Sequence, residues 1–157
     1  MQKFPAILAA TLACLLACGV VVAQEAENSA QDDAPADAQA RATGDDWIDA
    51  RLRDMDTYAA RHREPFVDEI VRYLEAPRAL VDEALAAGGM RAGDVYYACA
   101  LARASGRSCR TLMDAWRTDG GWAGVAERLE LEPAARLHPR IREDIGASYR
   151  RWARPID

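Results

Sequence analysis

Large apolar residues divide the chain into three parts. They are frequent at the N-terminus, absent from Ala23 to Asp46 and regularly spaced from there to the C-terminus. A segment without large apolar side chains has nothing to bury and forms no core, and the last part has the length of one small domain. The pattern predicts a signal peptide over residues 1–23, a flexible acidic spacer over residues 24–44 and a helical domain over residues 45–157.

The apolar positions of the predicted domain follow the helical period. A series that begins with Ile48, Leu52 and Met55 recurs at alternating steps of three and four, which places its side chains on one face of a helix. No part of the domain shows the alternation of a half-buried strand. The fold class predicted is all-α, a compact bundle of six or seven short helices. The predicted helices cover residues 46–62, 65–75, 77–87, 95–104, 109–118, 122–130 and 139–152.

Proline, glycine and polar capping residues give the predicted boundaries. Pro65 interrupts the first apolar series, so residues 46–75 form either two helices or one bent helix. Gly88 is placed to end one helix and Ser108 to begin another. The helix over residues 95–104 has Arg103 as its one charged residue, and a helix that is apolar all round is expected at the centre of the bundle.

The first 23 residues have the features of a secretory signal peptide. Lys3 precedes an uncharged apolar run, and the run ends in the small residues that a signal peptidase recognises, with Ala23 last. Cleavage there leaves Gln24 as the first residue of an exported protein, with the periplasm as its predicted location. No other segment is apolar enough to span a membrane, so no membrane span is predicted in the mature form.

Two alternatives keep the leader at the membrane. Residues 4–23 approach the ~20 apolar residues that a membrane span needs, so an uncleaved signal would anchor the protein. The segment that ends in Cys18 loosely fits the box before a lipidated cysteine, which would make a lipoprotein. Leu16 is large for its position in that box, and the apolar run continues past Cys18, which argues against lipidation.

The charge of the chain is mildly acidic, with a net value of −5. Much of the excess lies in the spacer over residues 24–44, which has one arginine and no large apolar side chain. We therefore expect the spacer to be a flexible tether that adds nothing to stability. The near balance of charge in the domain argues against a protein that binds nucleic acid over its whole surface.

Two stretches resemble a known group of proteins. The first is DVYYACALA over residues 94–102, followed by Gly106 and Arg107, and the second is GWAGVAERL over residues 121–129. Together they resemble a family of uncharacterised exported small helical proteins of Gram-negative bacteria. The resemblance implies an exported helical domain and supplies no catalytic residues. In that family aliphatic residues often occupy the positions of Cys99 and Cys109, which implies that these two positions touch in the core.

Cys99 and Cys109 are the cysteines that follow the leader. In an oxidising compartment such a pair favours a disulfide, whereas in the cytosol the two would be buried thiols. A disulfide requires the turn over residues 105–108 to fold the second helix back until the Cα atoms come within ~7 Å. We predict a structural Cys99–Cys109 disulfide. A redox-active pair is not predicted, because the C-x-x-C spacing is absent.

A set of arginines near the C-terminus gives one candidate binding site. Guanidinium groups bind phosphate and carboxylate through paired hydrogen bonds, so the partner would be an unknown envelope protein or an anionic surface. The alternative is an ordinary solvated helix face with Ile141, Ile145, Tyr149 and Trp152 turned inward. The candidate contacts are Arg136, Arg140, Arg142, Arg150 and Arg151.

The sequence nominates no catalytic residue, metal site or cofactor. His62 and His138 are the two histidines, and neither has a second ligand at a metal-binding spacing. His62 continues the first apolar series, which is typical of a core histidine. Nucleophile-elbow, P-loop and haem-attachment motifs are absent.

A helix-turn-helix reader of DNA needs a first helix over residues 122–129 and a recognition helix over residues 133–141. Glu130 occupies the place where the turn prefers glycine, and Pro139 lies within the recognition helix. An exported protein would also rarely meet DNA. These points argue against a nucleic-acid partner.

The sequence thus favours an exported, non-enzymatic interaction or structural module of the cell envelope. A small secreted enzyme, such as a cell-wall hydrolase, is the first alternative. A helix-turn-helix nucleic-acid binder is the second.

Overall fold

A computed structural model describes residues 36–131 and 134–156 of the protein. Within these ranges every regular element is a helix. The predicted signal peptide, with Cys18, and the first part of the spacer lie outside these residues. The all-α prediction is confirmed for the part that is described. A helical segment over residues 36–40 comes first, and the later elements are α1 (Asp46–Arg61), α2 (Arg63–Tyr73), α3 (Arg78–Ala87), α4 (Ala92–Ser105), α5 (Cys109–Asp119), α6 (Trp122–Arg128), a 3₁₀ helix (Ala134–Arg136) and α7 (His138–Arg151).

Two helices, rather than one bent helix, form around Pro65. α1 ends at Arg61, and Pro65 lies in the first turn of α2, where its missing N–H costs no helical hydrogen bond. His62 joins the two helices and is exposed, with its ring 4.9 Å from that of Tyr58. The expectation that His62 is a core histidine is therefore wrong, because the apolar series is interrupted at the junction where this residue lies.

α4 lies at the centre of the bundle, as its apolar composition predicts. Its residues from Gly93 to Ala102 are buried, and it packs against α1, α3, α5 and α7. The contact with α1 is closest at Gly93, where an added Cβ atom would lie 2.3 Å from the carbonyl oxygen of Leu52. The crossing of these two helices therefore requires glycine at this position.

The Cys99–Cys109 disulfide is present and joins α4 to α5, with 4.5 Å between the two Cα atoms. Both cysteines are buried. Gly106 ends α4 in the left-handed region, with φ 70°, and Ser108 caps α5 by accepting a hydrogen bond from the N–H of Thr111. This tight connection brings the first turn of α5 beside α4, which confirms the predicted pairing.

The last helix has one inner and one outer face. Ile141, Ile145 and Tyr149 are buried on the inner face, and Trp152, just beyond α7, is partly buried with its ring 4.4 Å from that of Tyr58. The predicted inward face is thus confirmed, and the outer face is free to carry polar residues.

Residues 133–141, which a helix-turn-helix would use as its recognition helix, have a different structure. Its described residues form the 3₁₀ helix Ala134–Arg136 and the start of α7 at His138. Glu130 adopts a φ of 52°, in the left-handed region that favours glycine. The described residues therefore contain no continuous helix over this stretch.

Residues 38–44, which we call the arm, belong to the helical unit. The Arg41 guanidinium donates hydrogen bonds of 2.7 Å to both Asp56 and Asp94. Thr43 is buried and donates to Asp49 from its backbone N–H, at 3.0 Å, and from its hydroxyl, at 2.6 Å. The end of the predicted spacer is thus part of the fold, and the folded unit begins near Ala38 rather than at residue 45. Among the described helices, none is long and apolar enough to cross a membrane.

Candidate functional site

A groove of about 820 Å³ runs along the outer face of α7. Its opposite wall is formed by the end of α2 and the end of α4, with Tyr73 exposed at the rim. We call it the arginine groove, after five of its lining residues. They are Arg72, Arg103, Arg140, Arg150 and Arg151.

The helical period explains how α7 supplies both a core face and this groove. Arg140, Asp144, Ala147 and Arg151 follow one another at steps of three and four, so they share one side of the helix. The buried residues of the inner face occupy the intervening positions. With a rise of about 1.5 Å per residue, the groove wall from Arg140 to Arg151 is about 16 Å long.

Arg151 is held in place by a buried carboxylate. Its Nε donates to both carboxylate oxygens of Glu69, at 2.9 and 3.0 Å, and Glu69 is only 4% exposed. Ser148 also donates to Glu69, at 2.7 Å, and shares a 2.8 Å hydrogen bond with the hydroxyl of Tyr96. The hydrogen bonds with Glu69 raise the pKa of Arg151 further above its ordinary value. The guanidinium lies 3.7 Å from the ring centre of Tyr73, so this arginine is a fixed part of the wall.

Arg103 and Asp144 form a second pair in the groove. The guanidinium donates to Oδ1 of Asp144 at 2.7 Å and to the carbonyl oxygen of Tyr73 at 3.1 Å. Burial raises the pKa of Asp144 above its ordinary value, although Arg103 opposes the change. The other carboxylate oxygen of Asp144 is buried and has no hydrogen-bond partner among the described residues.

The remaining arginines of the groove are oriented towards solvent. Arg140 and Arg150 are exposed, and neither forms a salt bridge with a described residue. Arg72 is also exposed and forms one exposed contact, of 3.3 Å, with Asp68. The positive charge of Arg140 and Arg150 is therefore available to a ligand, whereas that of Arg151 is largely neutralised by Glu69.

The structure brings together three of the five arginines that the sequence singled out. Arg140, Arg150 and Arg151 line the groove, while Arg136 and Arg142 do not. Arg142 makes a forked ion pair with Asp45, with Nε 2.9 Å from Oδ2, and its guanidinium lies 5.3 Å from the ring centre of Trp47. Arg136 lies exposed in the 3₁₀ helix. The predicted cluster is thus divided between different surfaces of the domain.

No match for this chain was found among family models, curated proteins or solved structures. The resemblance to exported helical proteins of Gram-negative bacteria therefore stays a prediction. The chemistry of the groove follows from its own side chains.

Those side chains are suited to binding anions. Two exposed guanidinium forks can each take a carboxylate or phosphate through paired hydrogen bonds. Within the described ranges, no group of three or more His, Cys, Asp or Glu side chains is placed to hold a metal ion. The acidic residues of the groove are Glu75, Glu143 and Asp144, and they lie among the arginines. They would restrict the orientation of an anionic ligand rather than bind a metal ion.

The sequence did not place Arg72, Arg103 or Tyr73 in the site. They come from α2 and α4, and no local pattern connects these helices with α7. One signal was available for Arg103, since it is the single charged residue near the end of an otherwise apolar helix. A charge in that position has to reach the surface or a partner, and here it reaches both Asp144 and the groove.

Proposed function

We propose that the protein is an exported, non-enzymatic interaction module that binds an acidic segment of an envelope protein in the arginine groove. The observation that carries this proposal is a pair of exposed arginines that line the groove and form no salt bridge with a described residue, Arg140 and Arg150. Ten residues of helix separate them by about 15 Å. An extended peptide advances about 3.3 Å per residue, so carboxylates about five positions apart can reach both arginines.

The mixed charge of the groove favours a protein segment over a uniformly anionic surface. Glu143 and Asp144 lie between Arg140 and Arg150 on the same helix. They repel a continuous sheet of phosphates, but they leave room for two separated carboxylates. The groove is also concave and lined by side chains from three helices, which suits a segment that lies within it.

Export is part of the same proposal and has two supports. The leader over residues 1–23 has the features of a cleaved signal peptide. The Cys99–Cys109 disulfide is typical of proteins from oxidising compartments such as the periplasm. The intact mass of the protein from its native compartment tests this part. We expect the mass of a chain that begins at Gln24, less the two hydrogens lost when the disulfide forms.

Two synthetic peptides of equal composition test the groove. In GEESSSEEG the two glutamate pairs are separated as the arginines are, and in GSSEEEESG the four glutamates are adjacent. Each is labelled with a fluorophore and titrated with the protein at low salt while anisotropy is recorded. The spaced peptide is expected to bind more tightly, with an affinity that falls as salt is added. The net charge of −5 opposes adventitious binding of an acidic peptide, so saturable binding would report a local site.

Charge reversal supplies the matched variants. The double variant Arg140→Glu with Arg150→Glu is expected to lower the affinity for the spaced peptide by about tenfold or more, since each substitution removes a charged contact. Arg53→Glu with Arg110→Glu changes the net charge equally at exposed positions outside the groove and is expected to have little effect. Equal losses in the two double variants would contradict the proposal. So would binding to phosphatidylglycerol vesicles without binding to either peptide, which would point to a membrane surface.

A further inference from the structure

Arg103 lines the arginine groove but is already paired with an acidic residue of the groove. Its side chain is 37% exposed, and its guanidinium donates to Oδ1 of Asp144 at 2.7 Å. The carboxylate of Asp144 therefore takes the place that the carboxylate of a ligand would take on this guanidinium. As long as Asp144 is charged, the internal ion pair withholds Arg103 from an anionic ligand.

Asp144 lies between the two exposed arginines of the groove wall. It follows Arg140 by four positions and precedes Arg150 by six, which corresponds to about 6 and 9 Å along the helix axis. Residues four positions apart are neighbours on the surface of a helix, so the carboxylate also attracts the guanidinium of Arg140. Neutralising Asp144 would therefore make the middle of the groove more positive, between the two contacts proposed for the ligand.

The surroundings of Asp144 favour the uptake of a proton. Its Oδ2 atom is buried, and no group within the described ranges forms a hydrogen bond with it, so one half of the charged carboxylate is left unsolvated. The largest effect on the pKa of Asp144 is burial, which raises it, and the neighbouring arginines oppose the rise. The charged and titratable groups around it are Arg103 and Tyr96 of α4, Glu69 of α2, and Arg140, Glu143 and Arg151 of α7.

We propose that Arg103 is a third anion contact of the arginine groove, which Asp144 occupies while it is charged and releases when it takes up a proton. The ligand is an acidic segment with a third carboxylate midway between the two that reach Arg140 and Arg150. Proton uptake by Asp144 and binding of this segment favour each other, so the affinity rises as the pH falls over the range in which the segment keeps its own charge. The inference rests on the function proposed for the groove and specifies the charge pattern of its ligand.

A peptide with a central acid tests the third contact at a single pH. GEESESEEG has one glutamate more than GEESSSEEG, midway between the two pairs, and each is titrated at pH 7 and low salt with the protein and with Asp144→Asn. In the variant the central glutamate is expected to raise the affinity about fivefold, as charges about 8 Å apart predict at an intermediate dielectric constant. In the unaltered protein it is expected to leave the affinity unchanged or to lower it, because it meets the charge of Asp144.

Glu83→Gln is the matched control, since it removes one exposed negative charge outside the groove. In this variant the central glutamate is expected to act as it does in the unaltered protein. The same response in Asp144→Asn would overturn the inference and leave the proposed function intact, provided that GEESSSEEG binds. Absence of binding of both peptides to all three proteins would reject the proposed function together with the inference.

A titration of the unaltered protein tests the proton without a variant. The sulfonate analogue of GEESESEEG, with cysteic acid in place of each glutamate, keeps its charge in acid. The ¹³C resonance of the Asp144 carboxyl carbon is followed by NMR from neutral to acidic pH, with and without the analogue. The midpoint is expected to move to higher pH when the analogue is bound, because a bound anion favours the neutral form. A midpoint that the analogue does not move would overturn the inference, whether or not Asp144→Asn folds.

Discussion

Arg41 and Asp94 lie 53 positions apart in the sequence, and their side chains form a buried ion pair with 2.7 Å between Nε and Oδ2. The same arginine binds Asp56 at 2.7 Å, and Trp122 donates to the other oxygen of Asp94 at 3.1 Å. Burial raises the pKa of Asp94. Although burial opposes it, the carboxylates of Asp94 and Asp56 raise the pKa of Arg41. Arg41 thereby attaches the arm to α1 and α4, and Asp94 connects the same cluster to Trp122 of α6.

Arg41→Met is therefore expected to destabilise the domain. It leaves the carboxylate of Asp94, which is 1% exposed, without its charged partner. Loss of one member of a buried pair costs about 3 kcal/mol. Urea denaturation measures the change in the free energy of unfolding, with Arg53→Met, at an exposed position of α1, as the control.

The double variant Arg41→Met with Asp94→Asn shows whether the loss comes from this pair. Its cost is expected to be less than the sum of the two single costs, because each single variant leaves one unpaired group. An Arg41→Met protein as stable as Arg53→Met would mean that the ion pairs of Arg41 contribute nothing to the stability of the fold.

The helices could be predicted from the sequence because local patterns determine them. The spacing of Ile48, Leu52 and Met55 predicts α1, and the uniformly apolar run that contains Cys99 predicts the central position of α4. The arm was assigned to the spacer because composition detects only apolar burial. Arg41 and Thr43 are ordered by ion pairs and hydrogen bonds to distant residues, and no local pattern records these contacts.

The candidate site was predictable on one helix and not across helices. Arg140 and Arg151 recur at a spacing that places them on one side of α7, and Arg150 follows next to them at the groove. Arg142 belongs to the same helix, but two positions along an α-helix turn it about 200° from Arg140. On that other side it binds Asp45, 97 positions away in the sequence.

Gly93→Ala is expected to destabilise the protein by about 2–3 kcal/mol, the usual cost of overpacking a core. The added methyl group would lie 2.3 Å from the backbone oxygen of Leu52, so α1 and α4 would have to separate. Thermal unfolding followed by circular dichroism measures the effect.

Gly146→Ala is the matched control, because it also lies within a helix. There the new methyl group meets only the end of the Arg150 side chain, at 3.4 Å. Alanine favours the helix over glycine by about 1 kcal/mol, so this variant is expected to gain stability. Destabilisation of equal size in both variants would mean that the close approach at Gly93 is not the cause.

The double variant Cys99→Ala with Cys109→Ala removes the disulfide. It is expected to lower the free energy of unfolding by about 3 kcal/mol, which is the chain-entropy value for a bond between residues 10 positions apart. The domain should remain helical, because both positions lie in a core with many other apolar contacts. A reducing agent is expected to lower the Tm of the unaltered protein towards that of the double variant, and to leave the variant unchanged. A Tm that does not respond to reduction of the bond would mean that the disulfide adds no stability.

The charge of Asp45 makes the stability of the domain depend on pH in the acidic range. Although burial alone would raise its pKa, the hydrogen bond from the N–H of Ile48 and the pairing with Arg142 lower the pKa below the ordinary value of 3.8. A carboxylate with a lowered folded pKa stabilises the protein above its ordinary pKa, and this contribution is lost as the pH falls through the folded value. Asp45→Asn keeps a side chain that caps α1 but removes the charge.

We therefore expect Asp45→Asn to lower the Tm by about 3 °C at pH 7. The difference from the unaltered protein should shrink as the pH falls from 3.8 through the lower folded pKa, because below that value Asp45 is neutral in both the folded and the unfolded state. Asp46→Asn removes the neighbouring exposed charge from the same helix terminus and controls for the helix dipole. A Tm difference that stayed constant down to pH 2.5, or that Asp46→Asn reproduced, would show that the charge-dependent contacts of Asp45 are not responsible.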